Sequence, residues 1–215
     1  MLHFIFFFVL AGYARQTPEY RVGDVLLQSD PIKVAGAVQV LTASRYNHVG
    51  LVVKRRGKLV VAEALSRVKY TTISSYTKRG KRNQQLRYHK ELNPAQKKRL
   101  NLAARRYMGK RYDPYLSWSD ERMYCSEMVQ KVYQDALGVS LSKERKLRQH
   151  LMFLVYPFVK AGWLRIPPPF SKLKDGVAPN EIVVTPGDLA RSKKLIYIRE
   201  LSSAHGKGEH RKHQK

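Results

Sequence analysis

At 215 residues the chain has the length of one compact domain with a short appendage. Its 43% hydrophobic and 27% charged residues exclude wholesale disorder. Forty-one Lys and Arg against sixteen Asp and Glu give a net charge of +25, which favours anionic partners or surfaces. The single cysteine, Cys125, excludes an intramolecular disulfide framework and any multi-cysteine zinc site.

The chain starts with an apolar run, "LHFIFFFVL", too short to span a bilayer, which takes roughly 18 to 20 residues. Gly12 and Ala14 in the following "AGYA" suit the small-residue positions of a signal-peptidase site. Residues 1–14 therefore read as an export signal, the alternative being a buried first strand or an uncleaved anchor. No cysteine lies nearby for a lipoprotein anchor. "VGDVLLQSD" predicts a turn and an apolar strand, and residues 32–43 predict a short helix from Val34, Val38 and Leu41. "NHVGLVV" and "KLVVAEA", joined by the basic loop "KRRG", read as an antiparallel hairpin.

Asn93 and Pro94 form a helix start, and that helix is expected to run to Met108 and stop at Gly109. "RYDPYLSWSDERMY" reads as an aromatic loop. "CSEMVQKVYQDALG" carries one apolar stripe and ends on Gly138. A further helix over about 143–154, a break at "IPPPF", and late strands in "EIVVTPGDL" and "KLIYI" complete the reading. Residues 203–215, with His205, His210 and His213, read as a basic disordered tail.

If "KRRG" closes the hairpin with Val53 opposite Lys58, then Leu51 faces Val60, Val49 faces Ala62 and His48 faces Glu63. Opposed side chains share a face with Cβ atoms about 4.5–5.5 Å apart. A carboxylate at that range fixes the imidazole tautomer and favours its charged form. A one-residue slip would part the pair, and the plain alternative is two edge residues facing water. Cys125 opens an amphipathic helix, where free N–H groups and the positive dipole end depress a thiol pKa and can hold an oxyanion. The competing reading of a lone cysteine is a small buried hydrophobe.

Together, "GDVLLQ", "SRYNHVGLVV", "VVAEAL" and "YDPYLSWSDERMYCSEMVQKVY" resemble the permuted papain-like amidases of the YiiX/YaeF type, a branch of the NlpC-type cysteine peptidases. The resemblance covers about residues 20–200, including "LGVSLSKERKLR" and "VTPGDLARSKKL". It implies an α+β, circularly permuted papain-like fold, an antiparallel β-sheet or barrel packed against the nucleophile helix. The order His48, Glu63, Cys125 matches the permutation. Cys125 in "YCSE" matches the nucleophile, His48 in "HVG" the general base, and Glu63 in "EA" the residue that orients the histidine. The implied activity is cleavage or transfer at an amide, of a peptide or an N-acyl, lipid-like molecule, without metal or organic cofactor. The heavy basic charge, the "LMFLVYPFVKAGW" stretch and the tail depart from the family pattern.

Tyr124, Tyr46, Ser126 and Asp113 are further candidates for the cleft or the oxyanion hole. The tyrosines can equally be packing residues, and Asp113 before Pro114 a turn former. Trp118 is expected to pack the loop, Glu127 to favour the first helical turn through the dipole, and His89 and His150 to lie on the surface. The basic clusters Lys54–Lys58, Lys78–Arg82, Lys97–Arg99, Arg105–Arg111, Lys143–Arg148 and Arg191–Lys194 are scattered along the chain, which argues against a single nucleic-acid stripe. An exported, periplasmic or envelope-associated enzyme that meets lipid, lipopolysaccharide or wall polymer is the resulting expectation. The competing classes are a non-catalytic ligand-binding module and a basic nucleic-acid binder.

Overall fold

The computed structural model describes residues 19–29, 44–114, 116–146, 149 and 181–201. The signal at 1–14, the helix expected at 32–43, the "IPPPF" break, His150 and the 203–215 tail lie outside these residues.

The strand expected in "VGDVLLQSD" is β1 (Val25–Ser29), and the hairpin is β2 (His48–Arg55) with β3 (Lys58–Ala64). β4 (Val68–Thr71), helix α1 (Ile73–Arg79) and β5 (Arg82–Tyr88) follow. After α2 (Pro94–Tyr107) come the short pair β6 (Arg111–Tyr112) and β7 (Arg122–Met123), then α3 (Cys125–Leu137). β8 (Arg145–Lys146), β9 (Ile182–Val183), α4 (Pro186–Ala190) and β10 (Leu195–Leu201) complete the described elements. Six strands form one antiparallel sheet in the order β10-β5-β1-β2-β3-β4. The fold is thus α+β, with a large antiparallel sheet packed against the helix that begins at Cys125.

Strand alternation sorts the core onto two faces. Val25, Leu27, Val49, Leu51, Val53, Ala62 and Ala64 join Leu100, Ala104, Met128, Val132 and Tyr133 of α2 and α3. On the opposite face Leu26, Val52 and Val61 pack against Tyr76 of α1. β1 is buried on both faces, which is why it reads as an unbroken apolar run.

α2 begins as its sequence requires. Asn93 Oδ1 accepts from the Gln96 N–H, Gln96 Oε1 accepts from the Asn93 N–H, and Pro94 takes the first helical position. Two expectations need correction. In "EIVVTPGDL" only Ile182–Val183 is strand, because Thr185 and Asp188 form a capping box that starts α4. Where a helix was expected over 143–154, Arg145–Lys146 pairs with β9 instead; residues 147, 148 and 150–154 lie outside the description.

β5 carries no hydropathy signal, since Asn83 and Gln85 are buried polar residues in a strand between β10 and β1. Their burial is met by hydrogen bonds. Asn83 Nδ2 donates to Thr77 O at 2.9 Å and Gln85 Nε2 to Asp24 Oδ2 at 2.6 Å.

Candidate active site

The β2–β3 hairpin differs from the expected register by two residues. Arg55 pairs with Lys58, and Glu63 lies opposite Gly50 rather than His48. The connection is a two-residue turn in which Arg56 (φ 46°) and Gly57 (φ 80°) are both left-handed. Such turns twist with the strands, whereas the four-residue loop assumed from "KRRG" consumed two residues of strand. A shift of two preserves parity, so His48 and Glu63 stay on one face as diagonal neighbours. Long side chains bridge that diagonal, and the His48 ring Nε2 lies 2.8 Å from Glu63 Oε2. Gly50 stands opposite Glu63 and two residues along from His48, and a Cβ there would stand 2.3 Å from Val61 Cγ1 and 3.0 Å from the Tyr76 ring.

Glu63 is fully buried and fully engaged. Thr71 donates its hydroxyl to Oε1, and Arg79 Nη2 stands 2.5 Å from Oε2. Burial alone would raise its pKa. The His48 hydrogen bond and charge, with Arg79 and Thr71, overcome that penalty and hold it at about 2. His48 stacks on Tyr76 at 5.7 Å between centroids, and the Tyr76 hydroxyl donates to Leu26 O at 2.7 Å. Arg79 also lies over the Tyr76 ring, 5.4 Å from its centroid.

Cys125 is the first residue of α3 and lies within hydrogen-bonding influence of His48. Burial pulls the imidazolium down, but the Cys125 and Glu63 side chains together raise its pKa from 6.5 to about 9. With Nε2 turned to Glu63, Nδ1 is the ring atom left for sulfur. One sulfur, one imidazole and one carboxylate therefore form a row in which both neighbours favour the charged form of the central ring.

The start of α3 is held from two sides. Glu127 Oε2 accepts from the Tyr124 N–H at 3.2 Å, and Lys131 Nζ lies 2.9 Å from both Glu127 Oε1 and Asp120 Oδ1. Lys131 also sits 5.0 Å over the Trp118 ring, so Trp118 packs the loop as expected. Glu127 is fully buried, and burial lifts its pKa to about 7 despite Lys131 and the Tyr124 N–H. From the other side, Tyr124 Oη accepts from Val184 N–H at 3.2 Å and Ser126 Oγ donates to Val184 O at 2.8 Å. Both candidate side chains thus fasten Val184 across the helix start. The N–H groups of Cys125 and Ser126 fall outside the intrahelical ladder, as the first turn requires.

Tyr46 is buried in the main core cluster, and burial raises its phenol pKa. Asp113 is buried and accepts from the Ser117 N–H at 2.6 Å, a turn-forming contact. His89 is exposed beside Tyr88. Sequence reasoning passed over three residues of the site. Thr71 and Arg79 hold Glu63, and neither belonged to a predicted element. Tyr112 lies near enough to Cys125 for burial, then the Cys125 and Asp113 charges, to push its phenol ionisation up; its signal was its place beside Asp113 in "RYDPY".

A search of curated proteins finds the protein called "Uncharacterized protein YiiX" of Escherichia coli K12, 38% identical over 131 residues. The match spans 60% of this chain and 65% of that protein, so the chain matches just under two thirds of its relative's length. Among solved structures, the one described as metalloprotein yiiX from Escherichia coli O157:H7, DUF1105, superposes with a TM-score of 0.74 at 33% identity. That similarity covers 84% of this chain and 97% of the other. A metal does not fit the row described above. Glu63 is occupied by His48, Arg79 and Thr71, with a guanidinium where a cation would bind. Among the described residues no three His, Cys, Asp or Glu side chains cluster for a metal. The family model for permuted papain-like amidase enzymes of the YaeF/YiiX type, the C92 family, matches residues 19–198. Helix, sheet and residue order agree with that match, and the chain belongs to the permuted papain-like amidase family.

Proposed function

We propose that this protein is a cysteine amidase or peptidase that cleaves an acyl–nitrogen bond through a Cys125–His48–Glu63 triad. The observation that supports it is the placement of the His48 ring between the Cys125 thiol and the buried Glu63 carboxylate, which together hold its pKa up. A ring so placed can take the sulfur's proton and later hand it to a leaving group, which is what activates a thiol nucleophile. The thiolate attacks the carbonyl carbon, and the resulting oxyanion takes hydrogen bonds from the N–H groups at the start of α3. Tyr112, a phenol kept protonated beside Cys125, supplies a second donor. His48 passes its proton to the leaving nitrogen as the C–N bond breaks, and the acyl group remains as a thioester. Neutral His48 then takes a proton from water, whose oxygen attacks the thioester, and the acid and the thiolate–imidazolium pair are restored. Glu63 keeps the ring oriented throughout.

The apolar leader and the basic surface support an exported enzyme acting on a cell-envelope substrate, such as a peptidoglycan peptide or an N-acylated molecule. Iodoacetamide tests the chemistry without knowledge of the substrate. Cys125 alkylates below pH 7 in the parent protein and more slowly in His48→Ala. Equal slow labelling of both proteins would mark a structural thiol and end the hydrolase reading. Incubation with envelope peptides and N-acyl amides, followed by mass spectrometry of the intact protein, should then trap an acyl adduct that Cys125→Ser lacks.

A further inference from the structure

Basic clusters that are far apart in sequence meet on one face. The tip of the β2–β3 hairpin exposes Lys54, Arg55, Arg56 and Lys58. The Lys54 N–H donates to Asn101 Oδ1 at 2.8 Å, joining that tip to the middle of α2. α2 buries Leu100, Ala103, Ala104 and Tyr107 and turns Lys98, Arg99, Leu102, Arg105 and Arg106 outward. Leu102 is 51% exposed. Its helical neighbours at i−4, i−3, i+3 and i+4 are Lys98, Arg99, Arg105 and Arg106, so an uncovered leucine stands inside a ring of four cations. Asp135 faces this group and pairs with Arg106 at 2.7 Å, and the exposed Asp120 carboxylate also feels the Arg106 charge; Lys98, Arg99 and Arg105 keep the face cationic.

We propose that this face docks on an anionic lipid surface, with Leu102 entering the headgroup layer and the surrounding Lys and Arg meeting lipid phosphates. An exposed aliphatic side chain ringed by long cationic ones matches the graded polarity of a bilayer interface. A nucleic acid would be served by the charges but not by the leucine. The surface also fixes an orientation. Arg99 Nε donates to Ala136 O at 2.8 Å and Arg106 reaches Asp135, so the face lies at the C-terminal end of α3. Cys125 lies at its N-terminal end, about 15 Å away at 1.5 Å per residue. His48 likewise begins β2 and Arg55 ends it. A docked molecule therefore carries the Cys125–His48 row on its far side, toward the aqueous or wall layer rather than the membrane. Only this consequence rests on the proposed catalytic reading.

The test is co-sedimentation of the full chain with phosphatidylcholine vesicles and with vesicles that also contain phosphatidylglycerol. Binding only to the anionic vesicles is expected, falling at least tenfold in Lys98→Glu/Arg105→Glu, since each charge near the surface is worth about fivefold. Lys78→Glu/Lys146→Glu, of equal net charge but at the catalytic end, keeps its binding, and Leu102→Ser releases at lower salt than the parent. Equal losses in the two double variants, or no vesicle binding, would overturn the docking face. So would binding to duplex DNA as tight as to vesicles and indifferent to Leu102→Ser. Iodoacetamide then labels Cys125 at the same rate on and off vesicles. Slower labelling on vesicles would reverse the orientation, while slow labelling in both states would count against the thiolate and leave the docking result standing.

Discussion

Replacing Glu63 with glutamine keeps the side chain's size and an acceptor oxygen but removes the charge that His48 and Arg79 share. The rise of His48 from 6.5 to about 9 is worth roughly 3 kcal/mol in favour of the charged ring. Burial opposes that rise, and Cys125 and Glu63 supply it. In Glu63→Gln the carboxylate's part disappears and the Arg79 guanidinium is left uncompensated beside the imidazolium. The His48 midpoint should therefore fall by at least about one pH unit, or roughly 1.4 kcal/mol. The assay is an NMR titration of the ring Cε1–H, run in the parent and in Cys125→Ser, so that the thiol's part is separated from the carboxylate's. Loss of amidase activity at alkaline pH, where imidazolium no longer protonates the leaving nitrogen, should move down by the same interval. A midpoint unchanged within a few tenths of a unit would refute the reasoning, because no charged carboxylate would then be supporting the ring.

Glu63 itself gives a stability prediction. Its folded pKa of about 2 lies below the ordinary 4.5, so its contribution is complete above pH 4.5 and is lost as pH falls toward 2. Denaturant midpoints should show that acid loss in the parent and not in Glu63→Gln. Glu127 has the opposite sign. Its folded pKa of about 7 exceeds 4.5, so stability is full below pH 4.5 and falls by up to about 3 kcal/mol as pH rises through 7; Glu127→Gln should be flat over that window. Arg79→Met should let the Glu63 pKa climb while His48 keeps its bond to Oε2, with Arg79→Lys intermediate, as read by carboxyl carbon NMR. Gly50→Ala places a methyl against Val61 and Tyr76 and should cost roughly 1–3 kcal/mol of unfolding free energy. A cost under about 0.5 kcal/mol would mean that those side chains yield freely.

Much of the site was legible because it depends on local rules. Asn93-Pro94 and Gly138 bound their helices through backbone groups only a few residues away. His48 and Glu63 fall on one face because strand parity survives an even shift in register. The motif around Cys125 also carried the family likeness. What failed was the choice between turn lengths, and reading that needed a distant partner. The turn at Arg56-Gly57 set the register, and buried Gln85 made a strand acceptable only because Asp24 stands within 2.6 Å of it.

The sequence by itself determined the order histidine, carboxylate, cysteine, the helix that presents the thiol and the alternation that turns the histidine and the acid the same way. All three follow from periodicity and capping within short stretches of chain. Only the tertiary structure decided that Thr71 and Arg79 grip Glu63, that Tyr112 lies by the sulfur, and that cationic clusters fifty residues apart share one face with Leu102. Those neighbours are set by strand pairing and helix packing between remote segments, where burial and charge act through space and leave no periodic trace along the chain.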